Sequence, residues 1–315
     1  MTTPYVCKLD AATQEKALKE LNEDPKNRQG AIDTFRKWIL EQKHFKSPTD
    51  NIFLLAFLRA RKFSQLEARR MLENFLKRRE KLNVWFKDLD PADDKISHVI
   101  DDGVVLVLPG RDSESRKVFV FNVGNIDMSE KKYTKNDAFR LFVTVLDYLY
   151  LCDEMTQVHG TVTVIDFSHM TFAHQTKITL EDRKNFLGTW QKNYPARIKG
   201  VHLYNLGSFM EFIMMIVKMA MSEKVQKRIV VHAHGLESLY KYIPEKMLPD
   251  EYLADDYTGS TGGSQKQMID QLKDDFRKPE IRDRIRHLSS REFHIDMKQK
   301  DSSVPEASFR KLAVD

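Results

Sequence analysis

The chain has 315 residues, with 51 Lys and Arg against 46 Asp and Glu, and only two cysteines, Cys7 and Cys152. A net charge of +5 is too small to imply bulk nucleic-acid binding, and 41% apolar content is that of an ordinary globular protein. The cysteines form no CxxC pair, which argues against a zinc site or a disulfide framework and fits a reducing compartment.

Lys8, Asp10, Glu15, Lys16, Lys19 and Glu20 interrupt the first thirty residues, so no secretory signal is expected. The region to about residue 90 reads as helices only. Ala31, Phe35, Trp38 and Ile39 share one helical face. Thr49 or Asp50 can cap a helix bearing Phe53, Leu54, Phe57 and Leu58. Ser64-Gln65-Leu66-Glu67 reads as a capping box that opens a helix bearing Leu66, Met71, Leu72, Phe75, Leu76 and Leu82. Pro91 and Asp93-Asp94 mark a junction.

The period then changes. Val104–Leu108 stops at Pro109-Gly110, a polar turn follows, and 118–123 is apolar again. Short apolar runs at 162–166, 200–205 and 229–232 alternate with helical segments, including one at 135–153 capped within Thr134–Asp137. This alternation predicts βαβ units and a largely parallel sheet, an α/β fold preceded by an all-α region. Residues 264–276 form a further helix, and 277–315 are charge-rich, with the last dozen expected to be mobile.

Enzymatic motifs are missing: there is no HExxH, GxSxG or GxGxxG. No catalytic residue, metal or cofactor is therefore expected, and a lipid hydrolase is disfavoured. Gly259–Ser264 reads as a loop capped by Ser264 with Gln267, not as a phosphate cradle. His232 and His234, with His159, His169 and His174 elsewhere, read as structural, and Asp166 as a hydrogen-bonding group.

The most informative segment is Leu206 to Met221. Phe209, Phe212, Ile213, Ile216, Val217 and Ala220 form one stripe, and Met210, Met214, Met215 and Met221 cover much of the rest. A helix apolar nearly all round is either deeply buried or touches lipid. Its 16 residues, with Glu211 and Lys218 among them, fall short of the roughly 20 needed to span a bilayer. Arg197 and Lys199 precede it on a strand, and Lys224 and Arg228 follow it four apart on a helix. Basic pairs bracketing an apolar helix describe a surface for anionic membranes, each charge contributing about 1 kcal/mol.

These residues carry a family resemblance. Phe53-Leu54-Leu55-Ala56-Phe57-Leu58-Arg59-Ala60-Arg61-Lys62-Phe63 resembles the helical N-terminal signature of CRAL-TRIO lipid-binding proteins. Tyr194-Pro195-Ala196-Arg197-Ile198-Lys199-Gly200-Val201-His202-Leu203-Tyr204-Asn205 resembles the core of their lipid domain. Glu223–Ile229 and Leu248–Tyr252 continue the match in order. The likeness is strongest to the alpha-tocopherol transfer protein and cellular retinaldehyde-binding protein branch. It implies three units: an N-terminal helical domain over 1–92, a CRAL-TRIO lipid-binding domain over 93–263 with a sheet floor and a gate helix, and a C-terminal helix and charged tail over 264–315.

The resemblance also implies a function: an intracellular carrier of a tocopherol-, retinoid- or other isoprenoid-like lipid. It would hold cargo in a closed cavity and deliver it to phosphoinositide-containing membranes. The implied cavity is lined by Phe139, Phe142, Leu146, Ile165, Phe172, Phe186, Trp190, Phe209, Phe212, Ile213 and Ile216. Serines of the tocopherol carrier correspond to Phe142 and Leu146, so the cavity is expected to be more aromatic and less polar. The implied phosphoinositide-binding residues are Arg61, Arg197, Lys199, Lys224 and Arg228, expected to be exposed and to converge beside the gate. The phosphatidylinositol-transfer branch carries Glu and Thr where this chain has Ala196 and Val225, which argues against phosphatidylinositol itself as cargo. The expected setting is cytoplasmic and transiently membrane-bound, as a monomer. The competing reading is a phosphoinositide-sensing recruitment module without cargo transfer.

Overall fold

The computed structural model describes residues 3–191, 193–207, 223–232 and 235–296. Helices α1 (Ala11–Leu21), α2 (Arg28–Glu41), α3 (Asn51–Ala60), α4 (Gln65–Lys81), α5 (Asn83–Phe86) and α6 (Asp94–Asp101) come first. Strands β1 (Val105–Val107) and β2 (Lys117–Asn122) follow. Then come α7 (Lys135–Leu151), α8 (Glu154–His159), β3 (Thr161–Asp166), α9 (Phe172–Lys177), α10 (Leu180–Gln191) and β4 (Ile198–Tyr204). Helix α11 (Glu223–Gln226), β5 (Ile229–His232), α12 (Glu237–Tyr240), α13 (Gln265–Arg277) and α14 (Pro279–Leu288) complete the described order. The expected helix at 206–221 lies almost wholly outside the described residues, as do the last dozen.

The helix starts follow from side-chain oxygens that accept otherwise unpaired backbone donors. Asp50 accepts from Phe53 N at 3.0 Å, and Thr134 with Asp137 and Ser264 with Gln267 form reciprocal capping boxes. Ser64 makes only half of the expected box. Its oxygen accepts from Glu67 N at 3.5 Å, but the Glu67 carboxylate turns to Arg70 at 2.9 Å. Leu66, expected on the buried face, is exposed beside it, while Met71, Leu72, Phe75 and Leu76 are buried.

The five strands form one sheet in the order β1-β2-β3-β4-β5, antiparallel at β1/β2 and parallel elsewhere. All five lie where the apolar runs place them, within about two residues. A parallel sheet buried on both faces needs near-continuous apolar strands, which is what these runs are. Val118, Val120, Val162 and Val164 face one way, onto Leu239, Ile243, Met247 and Met268. Phe119, Phe121, Ile165, Val201 and Leu203 face the other way, into the large cluster that holds α7 and the N-terminal helices.

That large cluster runs from Ile32 to Ile295, across both residue 92 and residue 263. The C-terminal helices join it to the N-terminal region. Arg284 pairs with Asp50 at 2.8 Å, Arg282 with Asp90 at 2.7 Å, and Phe45 bridges to Ile295. Arg59, fully buried in the resemblance motif, binds Glu23 and Glu154 at 2.8 and 2.9 Å and Gln157 at 2.7 Å. It locks α3 to the segment after α1 and to α8.

On the other face, His202 and His232 sit with rings stacked and Nδ1 of one 2.9 Å from Nε2 of the other. His232 also reaches Ser238 Oγ at 2.8 Å. Burial, then the neighbouring His232 charge, pushes the His202 imidazole down to about 4. The unfolded chain therefore takes up protons below about pH 6.5 that the folded chain refuses, so stability is lost as pH drops through that window. Between pH 6.5 and 4 the expected loss is about 3 kcal/mol. Melting curves across that range check it: His202→Phe should flatten the slope relative to wild type.

Candidate functional site

Three elements converge on the aromatic face of the sheet. Helix α7 crosses it because Phe139, Phe142 and Leu146 recur at helical spacing and are all buried. Phe142 meets Phe121 with ring centroids 5.0 Å apart, and Phe186 of α10 stacks on Phe121 at 5.2 Å and meets Phe142 at 4.6 Å. Phe139 stacks on Trp85 at 4.4 Å, and Ile165 of β3 lies in the same cluster. The structure thus brings together Phe139, Phe142, Leu146, Ile165 and Phe186.

Phe172 is a correction: it is 79% exposed. Helix α9 turns His174 inward, where Nε2 is 2.9 Å from Ile126 O and Nδ1 is 2.9 Å from Thr171 Oγ1. Two positions on a helix are separated by about 200°, so burying His174 turns Phe172 outward. The Trp190 side chain and Phe209, Phe212, Ile213 and Ile216 lie outside the described residues.

The α7 wall is anchored from behind. Asp147, fully buried, receives Arg79 of α4 in a two-pronged pair at 3.0 and 2.9 Å, and the Tyr194 hydroxyl donates to the same carboxylate. Burial first, then the Asp147 charge, raises the Tyr194 phenol well above its ordinary range. The Tyr-Pro step of the motif therefore leads from this buried acid into β4.

The basic group differs from the expected exposed cleft. The Arg197 and Lys199 side chains are only 14% and 21% exposed, and both reach Glu20 of α1, at 2.7 and 3.6 Å. The expected exposure of Arg197 and Lys199 is thereby corrected: both are largely covered and paired with one acid. The backbone leading into β3 passes close to Arg197 because Gly160 has φ +86°, and a Cβ there would lie 2.1 Å from Arg197 O. Burial would raise the Glu20 carboxyl, but the Arg197 hydrogen bond and the Lys199, Lys16 and Arg197 charges outweigh it and hold the carboxyl down at about 2. Burial and the Arg197 charge lower Arg228, whose guanidinium donates to Ile198 O, and Lys199 feels both arginines. Arg197, Lys199 and Arg228 therefore form one electrostatic group. One Arg197 nitrogen, Nη1, is buried with no acceptor. Arg61 feels Glu67 and Arg70 instead, so the described contacts do not join it to that group. The Lys224 side chain lies outside the described residues.

Glu20 escaped sequence reasoning because 177 positions separate it from Arg197. Asp166 does bond as expected, accepting from Tyr252 at 2.5 Å and Ser168 N at 2.7 Å. Among the described residues, no cluster of His, Cys, Asp or Glu could hold a metal, and no helix is long and apolar enough to cross a membrane.

The CRAL/TRIO domain matches residues 101–252, and a Pinta-like, UBA domain matches residues 24–96. Clavesin-1 of Xenopus laevis is 33% identical over 245 residues, covering 78% of this chain and 73% of that protein. Clavesin-2 of Homo sapiens is 32% identical over 245 residues, covering 78% and 74%. A solved structure, "Crystal structure of Sfh5", aligns at 15% identity with a TM-score of 0.48, covering 83% of this chain and 92% of that one.

Proposed function

Because the chain belongs to the CRAL/TRIO family, we propose that it is an intracellular carrier that holds a hydrophobic small molecule and delivers it to phosphoinositide-containing membranes. The observation that carries this reading is the buried aromatic face formed by Phe121, Phe142, Phe186 and Ile165. A hydrocarbon sealed against such a face avoids water at about 0.8 kcal/mol per CH₂, so fifteen carbons contribute on the order of 12 kcal/mol before immobilisation losses. Escape into water is then slow, and release requires an apolar acceptor. The cargo suited to an aromatic wall is tocopherol-, retinoid- or isoprenoid-like. The Arg197–Lys199–Arg228 group, with Arg61 and Lys224 as further candidates, supplies the charge for an anionic headgroup.

One observation favours recruitment without cargo: the rings of Phe121, Phe142 and Phe186 already touch one another. Mass spectrometry of lipid extracted from the purified protein decides between the two. A carrier retains a hydrophobic molecule, whereas a recruitment module yields none. Transfer tests the charged group. Lys199→Ala with Arg228→Ala should leave cargo affinity within about twofold, and slow transfer to vesicles containing phosphatidylinositol bisphosphate about tenfold or more. Equal rates with and without that lipid would remove the basic group from the mechanism.

A further inference from the structure

Buried hydroxyls in the described residues are hydrogen-bonded, with one exception. Thr144 donates to Arg140 O at 2.8 Å, Thr189 to Asn185 O at 3.0 Å, and Thr161 pairs with the Tyr150 hydroxyl at 2.5 Å. Thr163, at 1% exposure, has no partner for its Oγ1. Buried polar groups are paired in nearly all proteins, so an orphan calls for a physical reason.

Its position suggests one. Thr163 lies mid-strand in β3, the central strand, in register with Phe119 on β2 and Val201 on β4. Val162 and Val164 belong to the opposite face. Alternation therefore puts Thr163 on the aromatic face with Ile165, under the helix that carries Phe142. Backbone ladders on both sides engage the groups of β3 that a hydroxyl could otherwise bind. Valine has the same shape and strand preference, without the unpaired group. For folding alone, the hydroxyl is a cost.

The geometry points to Thr163 as the polar anchor of the cargo site, and so to a cargo that is a hydrocarbon with one neutral oxygen function: an alcohol, aldehyde or ketone. This rests on the carrier reading. A lone hydroxyl can donate to or accept from such an oxygen. A buried charge would need an ionic partner, and the register partners Phe119 and Val201, with Ile165 on the same face, supply none. Specificity follows, since a site built to hydrogen-bond an oxygen disfavours the analogue that lacks it.

The test uses the full chain and displacement of a fluorescent pyrene-labelled hydrocarbon. The competitors are octadecane and its primary and mid-chain alcohols and ketones. Wild type should bind the best oxygenated competitor about tenfold more tightly than octadecane. Thr163→Val should lose that preference while binding octadecane at least as well, and Thr163→Ser should keep it. The empty Thr163→Val protein should melt no lower than wild type, which excludes misfolding as the cause. If Thr163→Val retains the full preference, or wild type shows none, the anchor is overturned while octadecane binding leaves the carrier reading intact. If wild type binds neither the probe nor any competitor, the carrier reading falls and the anchor with it.

Discussion

Asp147→Asn should cost about 3–5 kcal/mol of folding stability, the largest effect expected from any single change considered for this protein. Asp147 is fully buried in α7 and carries both prongs of Arg79, itself only 4% exposed, together with the Tyr194 hydroxyl. Neutralising the acid leaves the guanidinium buried and uncompensated. Arg79 has weaker alternatives, the carbonyls of Phe86 and Leu288 at 3.4 and 3.5 Å, and the faces of Phe75 and Phe86. Those contacts are too long or too weak to replace a charge pair. Urea unfolding measures the loss. The double variant Arg79→Met with Asp147→Leu should recover much of it, because removing both charges strands no ion and leaves only the Tyr194 hydroxyl without its acceptor. If the single variant loses less than about 1 kcal/mol, the pair does not hold α7 against α4 as inferred.

Glu20→Gln should strengthen binding to vesicles containing phosphatidylinositol bisphosphate by about fivefold at low salt, equivalent to roughly one freed cation. Glu20 engages Arg197 and Lys199 at 2.7 and 3.6 Å and lies near Lys16 at 3.4 Å, so it competes with any headgroup phosphate for the same donors. Its carboxyl is held down at about 2, against 4.5 in the free state. Its contribution to stability is therefore complete above about pH 4.5 and lost only as pH falls toward 2. At neutral pH substitution alone removes it. The gain should shrink as salt rises, because screening contracts to about 3 Å at 1 M. Vesicle co-sedimentation across a salt series checks this. A variant that binds no better than wild type at low salt would mean that Glu20 does not mask the basic group.

Most of the architecture was legible without coordinates, since it depends on local periodicity. Val118-Phe119-Val120-Phe121 and Val162-Thr163-Val164-Ile165 are apolar on both faces, as only a covered parallel strand requires. Thr134 with Asp137 and Ser264 with Gln267 mark helix starts through contacts three residues apart. Spacing also picked out Phe139, Phe142 and Leu146 as one buried face of α7.

Tertiary structure decided what depends on residues distant in sequence. Phe172 is apolar and opens α9, but the bond from His174 to Ile126 O, 48 positions away, turns it to solvent. Arg197 and Lys199 share a strand face by alternation, yet their neutralisation by Glu20 requires α1 to fold against β4. Thr163 looked like an ordinary β-branched strand residue, and only the surrounding contacts leave its hydroxyl unpaired. The sequence by itself determined the elements, their order and the apolar faces, because hydrophobic burial follows a pattern that repeats every two or 3.6 residues. The tertiary structure alone decided which charges are masked and which polar groups remain unpaired, because hydrogen bonds and ion pairs act over a few ångströms between residues that the chain order does not bring together.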